Sequence, residues 1–256
     1  MAFQRILFEV KDSVATATIN RPPFNVLDIQ TMKEINEAIE KARAERGLKA
    51  LMFAAVGDKA FSSGVDVRDH TPEKMDEMID VFHRIFRLLS TLDVPTVAAV
   101  RAMALGGGCE LVAFCDMAIA SEKATFGQPE VKVGVYPSMA VAWLHRVIGA
   151  KKAYELLLTG DAISAAEAER IGLINQVVSD GELDNAVETF LHRLREKSSA
   201  VLKWAKTAIR HGLDVDFERG LQNSEIIYKN GLMRTEDANE GLLAFLEKRK
   251  PLWKEK

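Results

Sequence analysis

With 256 residues, the chain is long enough for one large domain, or a domain with a helical appendage, around a substantial core. Apolar residues make up 48% and charged residues 28%, the proportions of a soluble globule, and a net charge of −3 offers no global basic field to nucleic acid or an anionic membrane. The two cysteines, Cys109 and Cys115, make neither a disulfide framework nor a CxxC metal pattern, so a reducing, cytoplasmic setting is expected and no metal site is read.

The start, Met1-Ala2-Phe3-Gln4-Arg5, runs straight into an alternating segment and shows no charged head followed by an apolar block, so no leader is expected. Residues 6–10 and 14–19 alternate around Lys11-Asp12 and predict a β-hairpin. Arg21-Pro22-Pro23-Phe24-Asn25 is a turn, and Asp28 is placed to cap a helix over about 29–46 with Ile35 and Ile39 inward and Gly47 ending it. The apolar run 50–56 predicts a strand covered on both faces. A Ser62-Ser63-Gly64 turn follows. Thr71 and Pro72 then open a helix carrying Met75, Met78, Ile79, Phe82, Ile85, Phe86 and Leu89 at helical spacing, stopped by Asp93-Val94-Pro95. Strand, helix and strand in two consecutive units predict a mainly parallel α/β core. Helical periodicity covers 139–147 and 151–158. Ser164 and Glu167 suit a capping box, and 173–178 is the last strand. From Gly181 onward every segment is helical: 182–197, 199–211, 217–230 and 235–248, the last capped by Thr235. The most apolar window, 94–114, is broken by Pro95, Arg101, Glu110 and three glycines, so it is no membrane span.

The chain is organised around residues 97–130. An apolar strand leads through Arg101 to Gly106-Gly107-Gly108 and Cys109-Glu110; a second strand, 117–120, leads to Phe126-Gly127-Gln128-Pro129-Glu130. Glycines allow a tight strand-to-helix turn and aim unpaired N–H groups at whatever lies over the helix N-terminus. By itself the triple glycine is equally a plain tight turn or a close helix contact. Two carboxylates bracketing the same place make it a candidate for stabilising an oxyanion beside groups that move protons.

These motifs resemble the enoyl-CoA hydratase/isomerase (crotonase) superfamily. The likeness includes residues 104–110 and 126–130 and continues in Asn20-Arg21-Pro22, in 60–66, in 165–168 with Gly172-Leu173, and in Glu240-Gly241 with 245–249. It spans nearly the whole chain in the family's order. The fold implied is α/β, a crotonase-like spiral of ββα turns, with residues 1–196 as the core and 197–256 as a helical region for oligomer contacts and CoA capping. The resemblance implies an acyl-CoA thioester whose carbonyl lies between the backbone N–H groups of Val65 and Gly107. Glu110 and Glu130 would share one water, Glu130 delivering a proton to Cα. It implies that Ala60, Ser63, Val65, Asp66, Val67 and Arg68 line the CoA site. Phe245 and Lys248 on the last helix would contact the nucleotide, of the same or a neighbouring subunit, in a trimer or dimer of trimers. Coenzyme A is part of the substrate, and no separate cofactor, nucleic-acid partner or membrane is expected.

One stretch departs from the family. Ordinary crotonases carry a glycine-rich loop ending in Thr-Gln-Arg after the Gln-Pro-Glu motif. Here residues 134–143 read Gly-Val-Tyr-Pro-Ser-Met-Ala-Val-Ala-Trp, with bulkier groups in their place. Together with His70-x-Pro72 and Trp253, this is similar to the cyclic dienoyl-CoA hydratases that act on cyclohexa-1,5-diene-1-carbonyl-CoA in anaerobic aromatic degradation. His70 is read as either a pocket residue or a loop histidine without a role; His83, His145, His192 and His211 are read as structural or surface groups. A straight-chain enoyl-CoA hydratase or isomerase of fatty-acid metabolism is the alternative, and a non-catalytic CoA- or RNA-binding relative is a different class. A nicotinamide fingerprint fails because Leu111 stands where its third glycine belongs, and a serine-hydrolase elbow fails because Ala60 precedes Ser62 in place of glycine.

Overall fold

The computed structural model describes residues 3–256; Met1 and Ala2, the head of the segment read above as no leader, lie outside the described residues. Strands β1 (Ile6–Lys11) and β2 (Val14–Ile19) pair antiparallel, Ile6 opposite Ile19 and Lys11 opposite Val14. Asp12 and Ser13 at the turn both have positive φ, which matches a two-residue hairpin turn to the right-handed strand twist. Helix α1 (Ile29–Ala44) starts at Asp28, whose side chain accepts from Thr31 N–H at 2.8 Å.

The next elements come in repeats. β3 (Ala50–Ala55) and β4 (Ala60–Ser62) precede α2 (Met75–Ser90); β5 (Thr96–Val100) and β6 (Met103–Leu105) precede α3 (Gly107–Phe114). β7 (Met117–Ser121) and β8 (Thr125–Gly127) precede α4 (Ala140–Ile148) and α5 (Ala150–Thr159). β9 (Ala162–Ser164), α6 (Ala165–Arg170) and β10 (Gln176–Val178) close the core. The first strand of each repeat joins a six-stranded sheet ordered β1-β2-β3-β5-β7-β10, parallel beyond the hairpin; the second joins a four-stranded sheet ordered β4-β6-β8-β9. This is a spiral of ββα turns. The carboxyl ends of β4, β6 and β8 therefore stand side by side, and the loops that leave them are gathered at one place.

Strand β3 is covered on both faces, as its unbroken apolar run requires. Leu51 and Phe53 enter the main core with Ile35, Ile39 and Ile85. Ala50 and Met52 face a second core with Leu183, Val187 and Leu191 of α7 (Leu183–Arg195). Helices α8 (Ser199–Gly212), α9 (Phe217–Asn230) and α10 (Glu236–Leu246) follow. Among the described residues no helix is long and apolar enough to cross a membrane.

Three local readings are corrected. Helix α2 begins at Met75, not at Thr71: the Thr71 carbonyl accepts from Lys74 and Met75 N–H and closes a separate turn. Only half of the α6 capping box forms. Ser164 Oγ accepts from Glu167 N–H at 3.2 Å, while the Glu167 carboxylate goes to Arg170 and Lys152. Helix α10 ends at Leu246, because Lys248 takes a left-handed φ and Arg249 N–H reaches back to the Ala244 carbonyl, a C-terminal capping turn. Lys248 thus lies beyond the last helix instead of on it.

Candidate active site

The turn after β4 and the turn after β6 touch. Gly64 has φ +100°, and a Cβ there would lie 3.0 Å from the Leu105 carbonyl oxygen and 3.4 Å from the Gly107 nitrogen. Only glycine meets both the angle and the approach. Leu27 N–H donates to the Gly64 carbonyl and Asp66 N–H to the Leu27 carbonyl, a parallel bridge that turns the N–H of Val65 to the other side. Val65 Cγ2 stands 2.9 Å from where a Gly107 Cβ would be, so the Val65 turn faces the first residue of α3. Among the described residues neither amide has a recorded acceptor, and Gly107 N–H belongs to the helix's open first turn. Two unengaged amides on adjoining turns can grip one oxygen.

Both carboxylates arrive at this place. Gly106, φ +50°, is overhung by Glu130 Oε1, which a Cβ there would overlap. Glu130 lies on a 3-10 turn, Pro129–Val133. Burial pushes its carboxyl up to about 7, and its Oε2 is buried with no hydrogen-bond partner among the described residues. Glu110, in the first turn of α3, is 2% exposed. Its Oε1 accepts from Ala140 N–H at 2.7 Å and Met139 N–H at 3.1 Å, the opening of α4. Burial raises Glu110 to about 8 with help from the Glu130 charge, while the two amides pull it down. Burial thus holds both acids above the ordinary carboxylate range, where a group can keep a proton near neutral pH.

The remaining predicted residues divide. Ala60 is buried in β4, and its carbonyl is taken by the Asn25 amide at 2.7 Å. Ser63 follows β4 and donates its N–H to the Phe24 carbonyl. Asp66 accepts Arg68 Nε at 3.0 Å and Nη2 at 2.7 Å, which holds its carboxyl down at about 2. Arg68 is otherwise solvent-facing, and Val67 is exposed beside it. His70 Nδ1 lies 3.1 Å from the Asp66 carbonyl. Phe245 is 80% exposed, and α10 packs on α8 and residues 232–234, so within one chain Phe245 and Lys248 are not gathered with this group. A cavity of about 650 Å³ between α8 and the far end of α3, lined by Leu89, Phe114, Trp143 and Lys206, is not this site.

The model of the family described as enoyl-CoA hydratase/isomerase matches residues 9–256. The chain belongs to the enoyl-CoA hydratase/isomerase family. Relatives within it include a crotonyl-CoA hydratase of Syntrophomonas wolfei subsp. wolfei, 36% identical with 98% of each chain covered. A short-chain-enoyl-CoA hydratase of Clostridium acetobutylicum is 35% identical over 98% of this chain and 97% of that one. Among solved structures, an enoyl-CoA hydratase from Bacillus anthracis superposes with a TM-score of 0.94 at 30% identity, covering 99% of this chain and all of that one. For this enoyl-CoA hydratase/isomerase chain, sequence reasoning missed the amides of Met139 and Ala140 that hold Glu110. Pro137-Ser138 ahead of a helical run was the available signal, since a helix N-terminus is a natural seat for a carboxylate. It also missed His83, whose Nε2 lies 2.7 Å from Ser138 Oγ.

Proposed function

We propose that the protein adds water across the conjugated double bond of an enoyl- or dienoyl-CoA thioester, a hydro-lyase reaction of the enoyl-CoA hydratase type. Family membership and whole-chain relatives named for hydration support the reaction class. The observation that carries the residue roles is the meeting of two unengaged amides with buried Glu110 and half-buried Glu130 on adjoining turns. The thioester oxygen accepts from Val65 and Gly107 N–H. As water oxygen attacks Cβ, charge moves onto that oxygen as an enolate, and each preorganised donor lowers the barrier by about 2.7–4 kcal/mol. Glu110 takes the proton of the attacking water. Glu130, over Gly106, delivers a proton to Cα, and the pair re-equilibrates before the next turnover.

Coenzyme A lies along Ala60, Ser63, Val65, Asp66, Val67 and Arg68, the guanidinium turning from Asp66 toward a phosphate. Phe245 and Lys248 reach the nucleotide from a neighbouring subunit, since α10 packs away from the site in its own chain. The assembly is a homo-oligomer, a trimer or dimer of trimers. The acyl group is cyclohexa-1,5-diene-1-carbonyl. Bulky residues in place of the family's glycines after the Gln-Pro-Glu motif, Tyr136 and Met139 among them, support a pocket shaped for a compact ring. The relatives' names favour a second reading, a short straight-chain enoyl group.

Incubation of the purified protein with cyclohexa-1,5-diene-1-carbonyl-CoA and with crotonyl-CoA, followed by mass, tests both. A gain of one water on the cyclic substrate at higher kcat/KM is expected. Preference for crotonyl-CoA overturns the ring and keeps the hydratase; water addition to neither overturns the reaction.

A further inference from the structure

Helix α2 reaches the candidate site through two consecutive side chains. The Phe82 ring packs under Gly107, its atoms 3.1 Å from where a Cβ would stand. His83 points to the other half: its Nε2 lies 2.7 Å from Ser138 Oγ. Ser138 is the residue before Met139 and Ala140, whose N–H groups at 3.1 and 2.7 Å are the only recorded donors to the Glu110 carboxylate among the described residues. Residues 134–138 carry no regular structure, and Val133 and Tyr136 beside them are exposed. The start of α4 has no side-chain cap of its own. Among the described residues the histidine contact is a side-chain tie between this loop and the body of the protein, next to the anchor that Trp143 Nε1 makes within α4 on the Ala113 carbonyl at 3.0 Å. Burial lowers the His83 pKa, which keeps the ring neutral and able to share one hydrogen with the serine hydroxyl.

We propose that His83 is a positioning residue: through Ser138 it holds the first turn of α4 where its amides can seat Glu110. The kinetic part of this rests on the hydratase reading above, whereas the seating of Glu110 does not. The chain is short and rigid. One side-chain hydrogen bond holds Ser138, and one peptide separates Ser138 from the Met139 amide, so loss of the tie shifts the first turn of α4 by a distance that matters to proton transfer, while its later part stays anchored by Trp143 Nε1 on the Ala113 carbonyl. Misplacement of a reacting group by about 1 Å can cost about 100-fold in rate.

The test uses His83→Ala, Ser138→Ala, His83→Gln, Ser138→Thr and the double variant His83→Ala/Ser138→Ala in the full chain. Turnover is measured on whichever enoyl-CoA the wild type hydrates. The Glu110 carboxyl titration is followed by carbon-13 NMR in a Glu130→Gln background, which removes the charge that faces it. Expected are kcat losses of about 10- to 100-fold for each alanine variant with KM within about twofold, and a double variant no worse than the worse single. Ser138→Thr and His83→Gln, which keep a hydrogen-bonding atom, recover most of the rate. The Glu110 titration moves upward in both alanine variants as the amide donors slip away. Wild-type kcat in both alanine variants, additive losses, equal losses in the conservative variants, or an unmoved Glu110 titration would each overturn the proposal. If the wild type hydrates no enoyl-CoA, the reaction reading fails, and the NMR titration still decides the seating of Glu110.

Discussion

Burial and hydrogen bonding pull the Glu110 carboxyl in opposite directions, and burial prevails, so its pKa stands at about 8 against an ordinary 4.5, with Glu130 at about 7. Between the unfolded and folded values the native state binds the extra proton, so stability falls as pH rises from about 4.5 through that range. Glu110→Gln removes this cost: its melting temperature should exceed wild type at pH 8 by about 2–4 °C per kcal/mol recovered and converge with it toward pH 4.5. The same variant and Glu130→Gln should each lose about 10²–10⁴ in kcat, a gain in stability set against a loss of function. Equal melting temperatures at pH 8, or full activity in both, would contradict the assignment. At Gly64, alanine meets both the φ of +100° and the Leu105 carbonyl at 3.0 Å. Gly64→Ala should therefore lower kcat/KM at least about 100-fold by displacing the Val65 amide, while far-UV circular dichroism stays native.

At the scale of elements, several helix ends were readable where a side chain closes the cap. Asp28, Ser164 and Thr235, read as caps in the sequence, each accept from the N–H three residues on; Ser198 and Asp216, not read as caps, do the same ahead of α8 and α9. Asp28 does more than the others. Its Oδ1 takes both Thr31 N–H and Thr31 Oγ1, and its Oδ2 pairs with Arg21 at 3.1 Å. Asp28→Ala should cost about 1–2 kcal/mol and Asp216→Ala, at an exposed cap, nearer 0.5 kcal/mol, compared by urea unfolding. The three-residue strands β4, β6, β8 and β9 were not readable. Three residues carry no period, and their pairing is set by partners distant in sequence. The second sheet, which gathers the loops of the candidate site, was thus hidden in what looked like turns.

Across the whole molecule, the C-terminal helices are tied down and yet leave an apolar surface open. Buried Asp237 accepts from Ser198 Oγ, Lys254 N–H and Glu255 N–H, and Glu255 pairs with Lys49 of the core at 2.8 Å. Ile209, Phe217, Ile226, Leu242 and Leu246 stay exposed on α8, α9 and α10. A surface of that kind is usually covered by a partner. Native mass spectrometry should give a multiple of the chain mass, and Phe217→Glu should lower it; a wild-type monomer would remove the argument for Phe245 and Lys248 serving a neighbour's nucleotide.

Residue types and their order alone determined the hairpin, the long helices and the parallel core, because periodicity and caps are local signals; they named Glu110 and Glu130 as candidates through the motifs shared with the family. Tertiary structure decided the rest. That Gly64 lies against Gly107, that Glu130 overhangs Gly106, and that α4 lends two amides to Glu110 are contacts across 24 to 43 positions of chain. No local pattern encodes such distances; they follow from strands of successive turns pairing side by side and bringing their loops to one end.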